Sequence, residues 1–235
     1  MKDELVTSRY FKVDDKRADT IVFPLPPYWW SRFYEYAWAA EFCKEADAVL
    51  DAACGIPHPF KFYLAKKCRE VYAVDNDINI ADTDEMDRQM KAVLGHSLQE
   101  LNASAEKVRF KHANISELPY DNSKFDTIFC ISALEHLSCD QRLATLKEFK
   151  RTLKNDGKTV LTIDFCKNTD YGSMTIDELE AMAKEAGLKF AGEKDATLPG
   201  NAINWQNNLY CFRTVLVKIQ MEKKTPAKTN RKKIK

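Results

Sequence analysis

Short apolar runs alternate with longer stretches of mixed polarity from residue 48 onward. Strand-like runs occupy 48–50, 70–74, 107–112, 125–132, 158–165, 188–192 and 208–219. Helical spacing and capping signals predict helices over 59–67, 79–104 with a break near Gly95, 139–153 and 175–187. Strands that alternate with helices at this spacing predict an α/β fold. We expect a single doubly wound, Rossmann-like, seven-stranded, mostly parallel sheet with helices on both faces.

Three local sequence signals support individual elements of this predicted fold. The run over 125–132 is almost continuously apolar, which is typical of a strand covered on both faces. Thr175 and Glu178 are spaced as a capping box at the start of a helix that stops at Gly187. Residues 155–157, Asn-Asp-Gly, predict a turn before the next strand.

Residues 1–47, which precede the first of these strands, contain a proline-rich stretch and many aromatic side chains. Residues 24–28, Pro-Leu-Pro-Pro-Tyr, are expected to be extended, because each proline fixes its own φ and biases its predecessor away from helix. Aromatic side chains are then frequent, and Ser31 is a candidate N-cap for a helix predicted over 31–46. The chain thus divides into an aromatic N-terminal segment (1–47), a main domain (48–221) and a basic tail (222–235).

Composition narrows the class of protein. Of the 235 residues, 45% are hydrophobic, which is enough to build a core and argues against wholesale disorder. No run approaches the ~18 apolar residues of a membrane span, and the polar start of the chain does not resemble a secretory signal. The seven cysteines include no CxxC pair. We therefore expect reduced, mostly buried thiols and a cytoplasmic protein, without a disulfide framework or a zinc ribbon.

Charge is distributed unevenly along the chain. The net charge is +1, but the last fourteen residues contain seven Lys or Arg and a single Glu, which leaves the remainder mildly acidic. We expect this tail to be disordered and solvated; attraction to an anionic partner is the alternative. An acidic body argues against a nucleic-acid-binding face on the fold.

Candidate chemistry lies at the ends of the first two strands. In a doubly wound sheet, ligands bind beyond the carboxyl ends of the strands, near the point where strand order reverses. Asp51 ends the first strand of the main domain and Asp75 ends the second. An acid at the second position can accept hydrogen bonds from both hydroxyls of a ribose. The small residues Ala53 and Gly55 between them would let the backbone approach a ligand.

These features belong to an ordered series of five motifs. The segments are 49–57 (VLDAACGIP), 71–75 (VYAVD), 112–120 (HANISELPY), 125–137 (FDTI leading to LEHL) and 153–157 (LKNDG). In this order and spacing, they resemble the class I S-adenosylmethionine-dependent methyltransferases that act mostly on small molecules. The resemblance covers about 48–165, with a weaker continuation to Lys218. No phosphate-binding Gly-rich or Lys-containing loop accompanies them, which disfavours a nucleoside triphosphate or a dinucleotide.

The resemblance implies which residues bind S-adenosylmethionine. Asp75 would hold the ribose, Asn114 and the backbone of Ile115 the adenine, and Asp51 the methionine amino group. Asn114 could instead cap a helix. The remaining members of the expected cofactor set are Ala53, Gly55, Asn76 and Ile131. The turn departs from the family pattern, because Ala53 and Pro57 occupy two positions where the family has glycine.

The acceptor side is less specific. Glu135 and His136 follow the fourth strand, where the pair could act as a general base toward a hydroxyl or an amine. Asp164, which ends the fifth strand, and His58, beside the first turn, are further candidates for facing the acceptor. Each of the four could also be structural. No additional His or acid stands at ligand spacing, so we predict no metal.

The N-terminal aromatic segment has two interpretations. It could be a helix packed on the sheet, since aromatic side chains bury a large area. It could also be a lid that includes Trp30, with Arg32 or Tyr34 reaching the methionine carboxylate.

We predict an enzyme that moves a methyl group from S-adenosylmethionine to an O or N of a small-molecule acceptor, with no membrane partner. Two alternatives remain open: an S-adenosylmethionine-binding protein with a non-methylating reaction, and a nucleic-acid-binding or nucleic-acid-modifying protein that uses the tail. The sequence does not indicate the acceptor or the oligomeric state.

Overall fold

The structure is a computed structural model that describes residues 3–101, 103–166 and 174–220. Within these ranges, no helix combines the length and the apolar character needed to cross a bilayer. The predicted basic tail over 222–235 lies outside the described residues.

Nine strands and seven α-helices are described along these ranges. The strands are β1 (Arg9–Tyr10), β2 (Ala48–Ala52), β3 (Glu70–Asp75), β4 (Val108–His112), β5 (Phe125–Ile131), β6 (Leu153–Cys166), β7 (Leu188–Phe190), β8 (Asn204–Trp205) and β9 (Leu209–Lys218). The helices are α1 (Asp3–Val6), α2 (Arg32–Ala39), α3 (Phe60–Lys67), α4 (Thr83–Leu94), α5 (Ala103–Glu106), α6 (Cys139–Thr152) and α7 (Ile176–Glu185). Short 3-10 helices cover Ala40–Phe42, Ile78–Ala81, Leu98–Leu101 and Leu134–His136.

One sheet contains all of these strands. Its main path runs β1-β9-β6-β5-β2-β3-β4, and β7 and β8 also pair with β9. Strands β2 to β6 are mutually parallel, whereas β9 is antiparallel to each of its partners. Strand order reverses between β2 and β5, because the chain runs from β2 toward β4 and then returns to the other side of β2. The predicted doubly wound, mostly parallel sheet is confirmed, with nine strands instead of seven.

Helices cover both faces of the sheet, as predicted. On one face, Phe60 and Leu64 of α3 and Met90 of α4 join a large buried cluster. On the other, Phe149 of α6 and Leu179 of α7 pack in a second cluster. Central strands contribute to both clusters, since successive side chains point to opposite faces. This explains why 125–132 reads as continuously apolar.

The N-terminal segment supplies part of the first cluster. Phe11, Phe23, Tyr36 and Trp38 are all buried there. The segment also adds a strand to the sheet, since Arg9 and Tyr10 of β1 pair antiparallel with β9. Residues before 48 therefore build the core and the sheet. Whether the segment 1–47 also works as a lid stays a prediction.

Helix boundaries follow the capping chemistry in two of three predicted places. The Thr175 hydroxyl accepts from the Glu178 N–H at 3.1 Å, and the Glu178 carboxylate accepts from the Thr175 N–H at 2.7 Å, which confirms the capping box. Helix α4 ends at Leu94, next to Gly95, where a break was predicted. Ser31 does occupy the N-cap position of α2, as predicted, but its side chain does not make the expected capping hydrogen bond.

The predicted turn at residues 155–157 is also wrong, because these residues lie inside the long strand β6. They fall at an irregularity in the pairing with β5, where the register shifts between Phe125 and Thr127. A Cβ on Gly157 would stand 2.9 Å from the Asp126 carbonyl oxygen. The Asn-Asp-Gly sequence thus serves a bulge with close backbone approach, a feature that shares its residue preferences with turns.

Candidate active site

Three adjoining cavities lie at the carboxyl ends of the central strands, where strand order reverses. The turn cavity, about 80 Å³, is lined by Arg32, Tyr36, Asp51, Ala53, Cys54, Gly55, His58, Phe60, Ile131 and Ser132. The strand-end cavity, about 340 Å³, is lined by Ala53, Asp75, Asn76, Asn114, Ile115, Ser132, Ala133, His136 and Leu137. The acid cavity, about 470 Å³, is lined by Glu135, His136, Leu137, Ser138, Arg142, Ile163, Asp164, Cys166, Met174 and Leu209. Ala53 and Ser132 belong to the first two, and His136 to the last two, so the cavities form a continuous row.

The turn after β2 is strained at the position where the resembled family has glycine. Ala53 adopts a φ of 56°, in the left-handed region that costs an L-residue roughly 1–2 kcal/mol. Gly55 has the same φ, and a Cβ there would lie 2.5 Å from Cδ2 of His58. Space and backbone conformation therefore both require glycine at 55, whereas alanine at 53 is tolerated at a cost.

Lys61 of α3 holds this turn in place through three hydrogen bonds. Its side chain is fully buried, and Nζ donates to the carbonyl oxygens of Gly55 (2.6 Å), Ile56 (2.9 Å) and His58 (2.6 Å). All three ammonium protons are thereby used. Burial lowers the pKa of Lys61, while the charges of Asp51 and other nearby acidic groups act in the opposite direction.

Asp75 joins the turn to the strand-end cavity. One carboxylate oxygen accepts from the Gly55 N–H at 2.9 Å and the other from the Asp77 N–H at 3.0 Å. A carboxylate offers about four lone-pair sites, so each oxygen can accept one more donor. The strand-end acid is thus oriented by backbone and retains capacity for two hydroxyl groups.

Asn114 and Ile115 line the same cavity from the loop after β4. The Oδ1 atom of Asn114 already accepts from the N–H of Ser116 at 3.0 Å and from its hydroxyl at 2.9 Å. Both lone pairs of Oδ1 are therefore in use within a local turn, and no helix begins at Asn114, so the helix-capping alternative is wrong. Buried Ile115 and exposed Asn76 also line the strand-end cavity.

Asp51 lies between the turn cavity and the core, and it is almost fully buried. Burial raises the pKa of its carboxyl to about 7; Lys61 opposes the shift and Asp75 adds to it. A cationic group in the turn cavity would favour the ionised form of Asp51.

A buried ion pair closes the turn cavity on the side of α2. Arg32 forms a salt bridge with Glu35 one turn along the helix. The other oxygen of Glu35 accepts from the hydroxyls of Ser132 and Thr162, both at 2.5 Å, and from the Cys211 thiol at 3.4 Å. Although burial alone would raise it, the pKa of Glu35 is lowered by Arg32 and by these hydroxyls. The pair thus ties α2 to β5, β6 and β9.

His58 is fixed on two sides. Its Nδ1 lies 2.8 Å from the Tyr36 hydroxyl, and the ring stacks on Trp29 with centroids 4.4 Å apart. Burial, with the charges of Arg32 and Lys61, holds the pKa of His58 well below its usual range. A neutral imidazole therefore faces the turn cavity.

Glu135 and Asp164 meet in the acid cavity. Glu135 Oε1 accepts from the Asp164 N–H at 3.0 Å. Burial raises the pKa of both carboxyls; Asp164 adds to the shift of Glu135, and Glu35 contributes to both. His136 is exposed between this cavity and the strand-end cavity. The structure thus brings Glu135, His136 and Asp164 together around one cavity, whereas His58 lies in the turn cavity.

Trp30 and Tyr34 do not line any of the three cavities. Trp30 is half-buried against the first core cluster. Tyr34 is buried, its hydroxyl lies 3.4 Å from the Val13 carbonyl oxygen, and Arg17 stacks on its ring. Of the predicted lid residues, Arg32 is the one that reaches the site.

One group of side chains in the described ranges has metal-ligand chemistry. Potential ligand atoms of Glu35, Asp164 and Cys211 lie within 4.8 Å of one another. The hydrogen bonds of Glu35 to Ser132, Thr162 and Cys211 already account for this arrangement. We therefore interpret the group as a hydrogen-bonded cluster.

Sequence reasoning missed Glu35, Tyr36, Lys61 and Ser132. A lysine next to the first turn of a helix carries no signal that it will be buried. Glu35 follows the candidate N-cap Ser31 by four residues, where an acid also suits an ordinary helix start, so its position does not indicate a buried ion pair. Only the tertiary arrangement shows that both charges are buried beside the site, where they support its turn and its strands.

Comparisons with known proteins agree with the motif series. A family model described as a methyltransferase domain matches residues 50–161. An uncharacterised protein of Methanocaldococcus jannaschii is 39% identical over 103 residues, which cover 44% of this chain and 42% of that protein. The match therefore spans less than half the length of that relative.

Solved structures share the fold at low identity. The 4+2-cyclase SpnF superposes with a TM-score of 0.62 at 14% identity, over 89% of this chain and 86% of that one. The 1,6-didemethyltoxoflavin-N1-methyltransferase of Burkholderia thailandensis, solved with S-adenosylhomocysteine and 1,6-didemethyltoxoflavin, gives a TM-score of 0.51 at 20% identity, over 75% and 72%. The family model thus identifies residues 50–161 as a methyltransferase domain, and these solved structures share the fold expected for the class I S-adenosylmethionine-dependent methyltransferases that the ordered motifs resemble.

Proposed function

We propose that the protein transfers a methyl group from S-adenosylmethionine to an oxygen or nitrogen atom of a small molecule. The observation that carries this proposal is the row of three cavities at the strand ends. The first two are lined by the residues that the family uses for the cofactor, and the third opens beside them through His136. A donor in the first two cavities would lie next to an acceptor in the third.

The residues present fit the cofactor. Asp75 has free lone pairs at the edge of a cavity of about 340 Å³, which suits a ribose. The turn cavity is lined by the carboxyl group of Asp51 and the guanidinium of Arg32. The first suits the amino group of a methionine tail and the second suits its carboxylate. When bound, S-adenosylmethionine supplies a methyl group on a positively charged sulfur.

The contribution of the chain is then positioning and exclusion of water. Lys61 and Asp75 fix the turn, so little backbone order must be gained on binding. Arg32, Tyr36 and His58 line the turn cavity, where they would shield a bound methionine tail from solvent. Holding donor and acceptor in line supplies much of the acceleration in a displacement of this kind. Glu135 or His136 would take a proton where the acceptor must lose one.

A non-methylating reaction is the alternative that a structural observation favours. The Ala53 strain and the Pro57 substitution alter the turn, and a named cyclase shares the fold. No comparable observation favours the hypothesis that the basic tail binds nucleic acid. The cavities are small, and the residues before the tail carry a net negative charge.

Calorimetric titration of the full chain with S-adenosylmethionine and S-adenosylhomocysteine tests the cofactor site. We expect Asp75→Ala to weaken both by at least about tenfold, because hydrogen bonds to a charged group contribute about 1.5–3 kcal/mol each. The exposed Asp121→Ala should match the wild type. Absence of binding to the folded wild type would contradict the proposal.

Product analysis separates methyl transfer from the alternative. Incubation with methyl-labelled cofactor and a small-molecule library should give labelled acceptor together with S-adenosylhomocysteine. A transformed acceptor without label, with the cofactor recovered intact, would support the non-methylating reaction.

A further inference from the structure

The acid cavity contains two buried carboxyl groups that are incompletely satisfied. Glu135 Oε2 and Asp164 Oδ1 are both inaccessible to solvent and have no hydrogen-bond partner among the described residues. Both residues line the cavity of about 470 Å³. An unpaired buried carboxylate is costly, so the group must either keep a proton or receive a cation.

Two arginines among the described residues lie near this pair, and each already makes hydrogen bonds to other groups. Arg32 is paired with Glu35. Arg142, on the cavity wall, donates to the carbonyl oxygens of Leu134 at 3.2 Å and of Glu135 at 2.7 Å. Its bonds thus go to the backbone of Glu135 and leave the carboxylate to other donors. Within residues 3–101, 103–166 and 174–220, no Lys, Arg or His forms a salt bridge with Glu135 or Asp164, although the charge of Arg32 acts on Asp164 from a distance.

We propose that this pair binds the methyl acceptor through a protonated amino group, so that the substrate class is small primary or secondary amines. The inference rests on the proposed function and narrows its acceptor atom to nitrogen. Both residues line the cavity, so rotation of each side chain toward it would bring Glu135 Oε2 and Asp164 Oδ1 to the ammonium, which supplies their missing donors. An alcohol offers a single weak donor and no charge, and it would leave the pair unsatisfied.

The same carboxylates provide the proton acceptor that N-methylation requires. An ammonium nitrogen has no lone pair, so one proton passes from nitrogen to a carboxylate oxygen before reaction. The freed lone pair forms the N–C bond, while the electron pair of the breaking C–S bond remains on sulfur. Because burial raises the pKa of both carboxyls, each is a stronger base than an exposed carboxylate and can accept this proton near neutral pH.

Paired amine and alcohol probes test the proposal by binding alone. Ligand-observed NMR on the S-adenosylhomocysteine complex would compare a panel of primary and secondary aralkyl and alkyl amines with their alcohol isosteres, for example 2-phenylethylamine with 2-phenylethanol. We expect amines to bind at least about tenfold more tightly than their isosteres, since loss of a charged hydrogen bond costs about this factor. Asp164→Asn and Glu135→Gln, which keep shape and remove charge, should each abolish the preference.

The exposed Asp156→Asn is the matched control and should retain the preference. Thermal melts verify that each variant is folded. Equal binding of alcohols and amines, no amine binding at all, or a preference that survives in both folded cavity variants would overturn the inference. S-adenosylhomocysteine binding is measured first and without acceptor, so its failure would count against the proposed function and not against the amine site.

Discussion

At the scale of single residues, Lys61 is the side chain that fixes the turn after β2. Its ammonium holds three carbonyl groups of the turn, including those on both sides of Pro57. The proline removes one backbone donor, and the lysine restrains the acceptors that surround it. The turn thus keeps a fixed shape although it lacks two of the usual glycines.

Replacing Lys61 by methionine should weaken cofactor binding. The three carbonyls would lose a charged donor, and the turn that presents Gly55 to Asp75 would loosen. We expect the dissociation constant of S-adenosylhomocysteine to rise by at least about tenfold, in line with about 1.5 kcal/mol or more for a charge-assisted bond. Lys66→Met, on the exposed side of the same helix, is the control. Equal affinities of the two variants would show that Lys61 does not shape the site.

The individual site residues differ in how far sequence could predict them. Asp75 and Gly55 were predictable, because a strand-end acid and a small turn residue have fixed positions relative to the sheet. Asn114 was ambiguous, since its side chain suits both capping and ligand contact. Glu35 and Lys61 were not predictable, because nothing local distinguishes a buried charge from an exposed one on a short helix.

At the scale of elements, Glu35 joins α2 to the sheet through hydrogen bonds, in addition to the apolar packing of the helix. Glu35 receives hydrogen bonds from residues on β6 and β9 and at the end of β5, in addition to the ion pair with Arg32. The helix therefore depends on tertiary contacts more than on its own length of eight residues.

Glu35→Gln should destabilise the protein strongly. It leaves the Arg32 guanidinium without a counter-charge in a largely buried position, and breaking such a pair typically costs about 3–5 kcal/mol. Urea unfolding measures the loss. Glu41→Gln, which removes a surface pair with Lys16, should cost no more than about 1 kcal/mol. Similar midpoints for the two variants would argue against the anchoring role of Glu35.

The elements that the pattern missed are those fixed by partners distant in sequence. Strands β1 and β8 are two residues long, so they have no alternation that could be recognised. Both exist because β9 offers them backbone hydrogen-bonding groups. The remaining strands have at least three residues each, and for these the pattern predicted a strand.

At the scale of the whole molecule, the N-terminal segment is expected to unfold together with the sheet. Phe11 is completely buried, and the core variant Phe11→Ala should cost about 3–5 kcal/mol in a single cooperative transition. Val13→Ala, at a side chain 59% exposed, should cost little. Circular dichroism melts would show this difference. If Phe11→Ala instead left the melting temperature unchanged and reduced only turnover, the segment would be a lid and not core.

The pairing of β1 with β9 has a consequence for synthesis on the ribosome. The hydroxyls of Ser8 and Thr214 meet at 2.7 Å although they lie 206 positions apart in the chain. Until β9 has emerged, the earlier strands lack their antiparallel neighbour and the N-terminal aromatic residues lack part of their packing surface. A nascent chain stalled before residue 209 should therefore expose those aromatic residues to chaperones, and release of the complete β9 is the event that closes the sheet.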